Sequence, residues 1–132
     1  MLVKIADLRP NNWYINRAKL EAVRQAWATG IHATLPPVLI TQIDGAYSLI
    51  DGHSRAFAAW EQGLSHIDAT LQPLAAIEGL TALYIHIHQA GPARGIRHVW
   101  DLADHIVDPI EHKRLWVGYC ETWIKTYLEE GP

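Results

Sequence analysis

The spacing of apolar positions changes several times along the chain, and each change marks an element. Val3 and Ile5 alternate with polar neighbours, which predicts an extended start, and Leu8-Arg9-Pro10-Asn11-Asn12 predicts the turn that ends it. Leu20, Val23 and Trp27 recur at helical spacing, so a helix is expected over 17–29, with Asn16 as N-cap and Gly30 as its stop. Leu35-Pro36-Pro37 breaks any continuation. Two β-prone runs, 38–43 and 46–50, flank Asp44-Gly45, a strong short hairpin signal that predicts an antiparallel pair. A strand follows over 65–71, then a short helix over 75–80. Leu83, Ile85 and Ile87 alternate with Tyr84, His86 and His88, which predicts a strand over 83–89 with one apolar face. Beyond His98 the period is helical, over 99–107 and again over 111–129, with Asp108-Pro109 between. Leu115, Trp116, Tyr119, Trp123, Ile124 and Tyr127 form a broad stripe on the last helix.

This order predicts an α+β fold: a small mixed sheet with an antiparallel hairpin, flanking helices and a C-terminal helical extension. Residues 1–90 carry the sheet, and 91–132 form the extension packed on it as one compact unit. A chain of 132 residues with 49% hydrophobic and 19% charged positions is long enough for a real core and too apolar for disorder. Lys4 and Asp7 come too early for a signal peptide, and no run of about 18 apolar residues is present, so a cytoplasmic protein is expected. One cysteine excludes an internal disulfide. The formal net charge of −3 argues against a DNA-coating protein and leaves a local basic patch open. Six tryptophans and five tyrosines suit a pocket wall or a subunit contact.

The chemistry concentrates between Tyr47 and Gly63. Tyr47-Ser48-Leu49-Ile50 reads as a strand, Asp51-Gly52-His53-Ser54-Arg55 as a tight turn, and the alanine-rich run to Gly63 as a helix. Two readings fit the turn. In one, Asp51 or Ser54 caps a helix that covers a sheet. In the other, the amides of Gly52, His53, Ser54 and Arg55 and the Arg55 guanidinium form an anion site whose natural ligand is phosphate. Elsewhere, His86 and His88 share a strand face and make a weak metal pair with His98 or His53, or else lie on a half-exposed polar face. Arg94 and Arg97 either reach a phosphate or are solvated. Cys120 has no Lys or Arg beside it and reads as a small buried hydrophobe. The aromatic stripe packs the core and offers a homodimer seam through Trp116, Tyr119, Trp123 or Tyr127.

Leu-Ile-Asp-Gly-His-Ser-Arg followed by an alanine-rich helix resembles the nucleotide-binding loop of the ParB/sulfiredoxin-like superfamily. The kinase branch of that superfamily, which phosphorylates free serine, carries Asp-Gly-His-His-Arg, so this chain departs from it at Ser54. Ile5-Ala6-Asp7-Leu8-Arg9-Pro10-Asn11 and Leu35-Pro36-Pro37-Val38-Leu39-Ile40 are further landmarks, and the resemblance spans about residues 1–71. It implies a nucleotide (ADP, ATP or CTP), with Mg²⁺, and a phosphate held by Gly52, His53, Ser54 and Arg55. Asp51 would hold Mg²⁺ or steer an acceptor, and His53 would contact phosphate or carry a proton. The resemblance adds Asn12 and Pro36 as residues bordering the nucleotide, and Arg97 joins them as a guanidinium able to reach a phosphate. Asn12 stands where the kinase branch has its catalytic glutamate, and an amide cannot take a proton, which argues for weak or absent transfer. The sulfiredoxin branch needs a cysteine where His53 stands, and the glutamine-arginine patch of ParB proteins is absent. The alternatives are an ADP- or ATP-dependent kinase of a small hydroxyl substrate such as serine, and a ParB-like switch with a DNA or protein partner.

Overall fold

The computed structural model describes residues 1–131. Its main sheet has five strands in the order β1-β6-β4-β5-β2: β1 Leu2–Lys4, β2 Leu8–Pro10, β4 Val38–Ile43, β5 Ala46–Asp51 and β6 His66–Leu71. The hairpin β4–β5 is antiparallel, with Asp44 and Gly45 both at positive φ (52° and 76°), as a two-residue loop of matching twist requires. Strand β6 runs parallel to β4 and antiparallel to β1, and β2 runs parallel to β5, which makes the sheet mixed. A second pair, β3 (Ile15–Asn16) and β7 (Ile106–Val107), is parallel and fastens the C-terminal part to the start of α1 (Arg17–Ala28). Asn16 caps α1 by accepting from the Ala18 amide at 3.0 Å.

Helix α2 (His53–Glu61) buries Ala56, Phe57, Ala58 and Ala59, and its small residues let it lie close to the sheet. Leu20 of α1, Val38, Ile40 and Leu49 of the sheet, and Leu83 and Ile87 of α3 (Thr81–Ala90) share one hydrophobic cluster with α2. Fully burying each such aliphatic side chain contributes about 1.5–3 kcal/mol before the entropy of ordering it. Arg24 on α1 grips Glu61 on α2 through two bonds of 2.9 and 2.6 Å. The extension comprises α4 (Pro109–His112), a π-helical turn Lys113–Val117, and α5 (Gly118–Glu130). Trp116 joins the same cluster as the sheet, and its ring meets Trp13 edge-on at 5.3 Å. Among the described residues no helix is long and apolar enough to cross a membrane.

Several expectations need correction. The segment expected as a strand over 83–89 is helix α3, because Leu80, Leu83, Ile87 and Ala90 also fall at helical spacing and all pack on the core. A run that satisfies both periods is decided by tertiary packing. Leu8–Pro10, expected as a turn, is edge strand β2, where a proline with no N–H is tolerated. The helix expected over 75–80 is a single 3₁₀ turn, Leu74–Ala76. That expected over 99–107 is the 3₁₀ helix Val99–His105 ending in β7.

Replacing Trp116 by Ala removes the ring that joins the extension to the core, and should lower unfolding free energy by about 3–5 kcal/mol. Urea denaturation should show one cooperative transition moving to lower midpoint. An unchanged main transition would mean that the sheet unit folds without the extension.

Candidate functional site

Strand β5 ends at Asp51, and Gly52 turns the chain with φ +102° into α2. A Cβ at Gly52 would stand 2.6 Å from Val38 Cγ1 and 2.9 Å from an Arg55 guanidinium nitrogen, so both the backbone angle and the space demand glycine. Gly52 is itself the N-cap, and no side chain bonds the first amides of α2. Neither Asp51 nor Ser54 caps the helix, although α2 does cover the sheet as the first reading of the turn has it. Those first-turn amides have no intrahelical acceptor, and the positive end of the helix dipole lies with them.

They face a cleft of about 260 Å³ lined by Asn12, Tyr14, Asn16, Lys19, Asp51–Arg55 and His112, together with Ile15, Val23 and Ile50. Lys19 comes from α1 and His112 from α4, and the sequence offered no local motif for either. Asp51 is the sole carboxylate among the lining residues. Its side chain is 77% exposed and lies 3.3 Å from Arg55 Nη2. The other guanidinium nitrogen, Nη1, donates to the Pro36 carbonyl at 3.0 Å, so Arg55 is held at the lip of the cleft and is only 15% exposed. Pro36 thus acts through its carbonyl, and its ring lines a neighbouring, more apolar cleft with Leu35, Pro37 and Trp27. Arg97 lies elsewhere, in a third cleft with Asp7, Arg9 and His98. Asn12 borders the main cleft, and its Oδ1 accepts from the Tyr14 amide at 2.9 Å, an Asx turn that shapes the first loop.

His53 is buried, and its Nε2 accepts from the Asn11 amide at 3.0 Å. Burial lowers its pKa to about 4; the Asp51 charge opposes this and the Arg55 charge adds to it. The ring is neutral at pH 7, and its Nε2 lone pair is already engaged. Asn11, also buried, donates through Nδ2 to Ser48 Oγ and to the Tyr84 carbonyl, both at 2.9 Å. One residue therefore ties the first loop to β5, α2 and α3.

His86 and His88 do not form a metal pair. Two positions apart on a helix they diverge, and no group of three metal-ligating side chains exists among the described residues. His86 shares a 2.7 Å hydrogen bond with Tyr119 and stacks on Trp123, whereas buried His88 accepts from Arg9 Nη1 at 3.1 Å. Arg94 is exposed and does not line the main cleft; its guanidinium lies 4.2 Å above the Trp13 ring. Burial first, and Glu121 second, push the Cys120 thiol up to about 11, so it is not a ready nucleophile.

No protein-family model and no curated protein matches the chain. Among solved structures it is similar to protein Atu1540 from Agrobacterium tumefaciens, at 22% identity and TM-score 0.45 over 55% of this chain and 37% of that one. It is also similar to a sulfiredoxin from Arabidopsis thaliana, at 18% identity and TM-score 0.43 over 66% and 96%. A third is the C-terminally truncated chromosome-partitioning protein ParB from Caulobacter crescentus, complexed to the centromeric parS site, at 20% identity and TM-score 0.42 over 67% and 44%. The chain thus spans little more than a third of Atu1540 and under half of that ParB chain.

Two outcomes test this geometry. The unfolded chain binds a proton at His53 below pH 6.5 that the folded chain refuses down to about pH 4, so stability should fall as pH drops through that window. The loss from His53 alone should be about 2 kcal/mol between about pH 7 and pH 5, and should shrink in a foldable His53→Asn variant. The lowered pKa values of His86, His88 and His112 act in the same direction. Gly52→Ala should cost about 1–3 kcal/mol in a thermal or urea melt, and a neutral result would contradict the turn described.

Proposed function

We propose that the cleft binds the phosphate groups of a nucleotide (ADP, ATP or CTP), with weak or no phosphoryl transfer. The observation that carries this reading is the uncapped start of α2 opening into a cleft that also holds Lys19 and Arg55. Unbonded amides, a positive dipole end and two cations are what a phosphate needs, and no second anionic side chain competes beside Asp51. An arriving phosphate would take the place of the Asp51 carboxylate at the Arg55 fork. Asp51, exposed beside Arg55, fits Mg²⁺ held chiefly by water and nucleotide phosphates, the usual state of that ion beside one carboxylate. Bound Mg²⁺ would neutralise charge on the phosphates.

The balance against efficient transfer rests on the same lining. Asn12 cannot accept a proton, and its oxygen is already engaged with Tyr14. His53 offers no free lone pair, so it positions the loop through Asn11 while its backbone amide remains available to a ligand. A hydroxyl acceptor lacks the base that is worth typically ~10²–10⁴-fold.

Calorimetry with Mg²⁺ and ADP, ATP or CTP should register binding, and Arg55→Ala should weaken it by about 1.5–3 kcal/mol. Unchanged affinity in a folded Arg55→Ala protein would sink the proposal. In a radiolabelled assay with ATP or ADP on serine, wild type should stay near background, and Asn12→Glu should raise the signal. Robust wild-type transfer, lost in Asp51→Asn, would overturn the assignment of Asn12.

A further inference from the structure

We infer that His112, carried into the cleft by the C-terminal extension, is a proton-dependent ligand for the bound phosphate. The inference rests on the phosphate reading of the cleft and adds a residue that the Asp51–Arg55 loop does not supply. Its position is fixed locally. Asp108 accepts from the Glu111 amide at 2.8 Å and starts the single-turn helix α4, which ends at His112 and packs beside β3. The same short helix follows β7, whose pairing with β3 sets the extension against the mouth of the cleft.

The imidazole of His112 is half-buried, and the Tyr14 backbone beside it favours the protonated ring. Among the described residues no side chain bonds the ring, and His112 lines the cleft, so a ring nitrogen is left for a ligand. In the neutral ring that nitrogen holds a lone pair, which repels a phosphate oxygen; in the protonated ring it is a charged donor. The groups facing it are Lys19 from α1, Tyr14 from the first loop, and Asp51, His53 and Arg55 from the turn and α2. On its own element, Asp108 is spent as the cap and Glu111 is paired with Arg114. Burial, then Lys19, holds the empty-cleft ring below the ordinary histidine range. A phosphate lodged among Lys19, Arg55 and the α2 amides reverses that balance, because an anion favours the protonated ring. Binding and protonation are then linked: ligand entry takes up a proton, and affinity rises as pH falls. His53 cannot be the source of such uptake, since its own nitrogen is engaged and its pKa lies near 4.

The test is calorimetry of inorganic tripolyphosphate and of Mg-ADP in two buffers of different ionisation heat near pH 7. Wild type should take up a fraction of a proton per site, and its affinity should rise several-fold more steeply from about pH 8 to about pH 6 than that of His112→Gln. The titration of the ligand's own phosphate is common to both proteins and cancels in that comparison. Arg55→Ala, though weaker, should keep the uptake. As a check without substitution, the His112 ring resonances of the wild type should titrate at higher pH once tripolyphosphate is bound. Binding with the same uptake in His112→Gln, or a His112 titration unmoved by ligand, overturns the inference and leaves the phosphate cleft standing. Failure of wild type to bind either probe overturns both.

Discussion

The buried Asn11 amide, shared between His53 Nε2 and the Leu49 carbonyl at 3.0 Å each, holds the first loop against β5 and the start of α2, the two elements that wall the cleft. Everything around it follows. The imidazole must stay neutral to accept, and burial keeps it so. Asn11 must sit where its side chain also reaches Ser48 and the Tyr84 carbonyl, which places α3 behind the turn. Gly52 must turn left-handed between Val38 and Arg55 so that His53 can face inward while the first amides of α2 face outward. A polar network of this kind is costly if broken and rigid if complete, and it fixes the relative position of four elements.

The same constraint divides the labour among residues of the turn. His53 and Asn12, the residues with the most obvious chemistry, have their acceptor atoms committed to backbone amides. Arg55 is anchored at one end by the Pro36 carbonyl and at the other meets only the exposed Asp51. What remains uncommitted is positive: the helix start, Lys19 and the lip of the Arg55 fork. A site built in that way suits an anion, as proposed above, and offers little machinery to move a proton. Acid that protonates His53 would loosen the loop before it abolished any charge on the cations, so the proposed binding would weaken together with stability.

Much of this was legible in the sequence, and the exceptions are instructive. Asp44-Gly45, Asn16 and Gly30 act within a few residues, so the hairpin and α1 could be read locally. The strand, turn and helix around Gly52 could be read for the same reason. Leu83–Ile87 could not, because alternation and helical spacing coincide there and only packing against the core decides between them. Pro36 entered through a resemblance and Arg97 through its guanidinium alone; one lies beside the turn through its carbonyl and the other in a separate cleft. Lys19 and His112 were invisible, since their meeting depends on β3–β7 pairing across some ninety positions of chain. The aromatic stripe of the last helix had two outlets, and Trp116, Tyr119 and Trp123 turn out to be engaged with Trp13 and His86 of the same chain.

The most direct test of the central claim is an amide nitrogen–proton spectrum of the folded protein, titrated with a Mg²⁺-nucleotide. If phosphate seats on the start of α2, the amides of Gly52, His53, Ser54 and Arg55 should show the largest shifts, followed by residues around Lys19 and His112. The amide of Asn11, locked to His53, should shift less than those four. Saturable binding whose largest shifts fall around Arg9 and Arg97 or along α5, with residues 52–55 unmoved, would contradict the account.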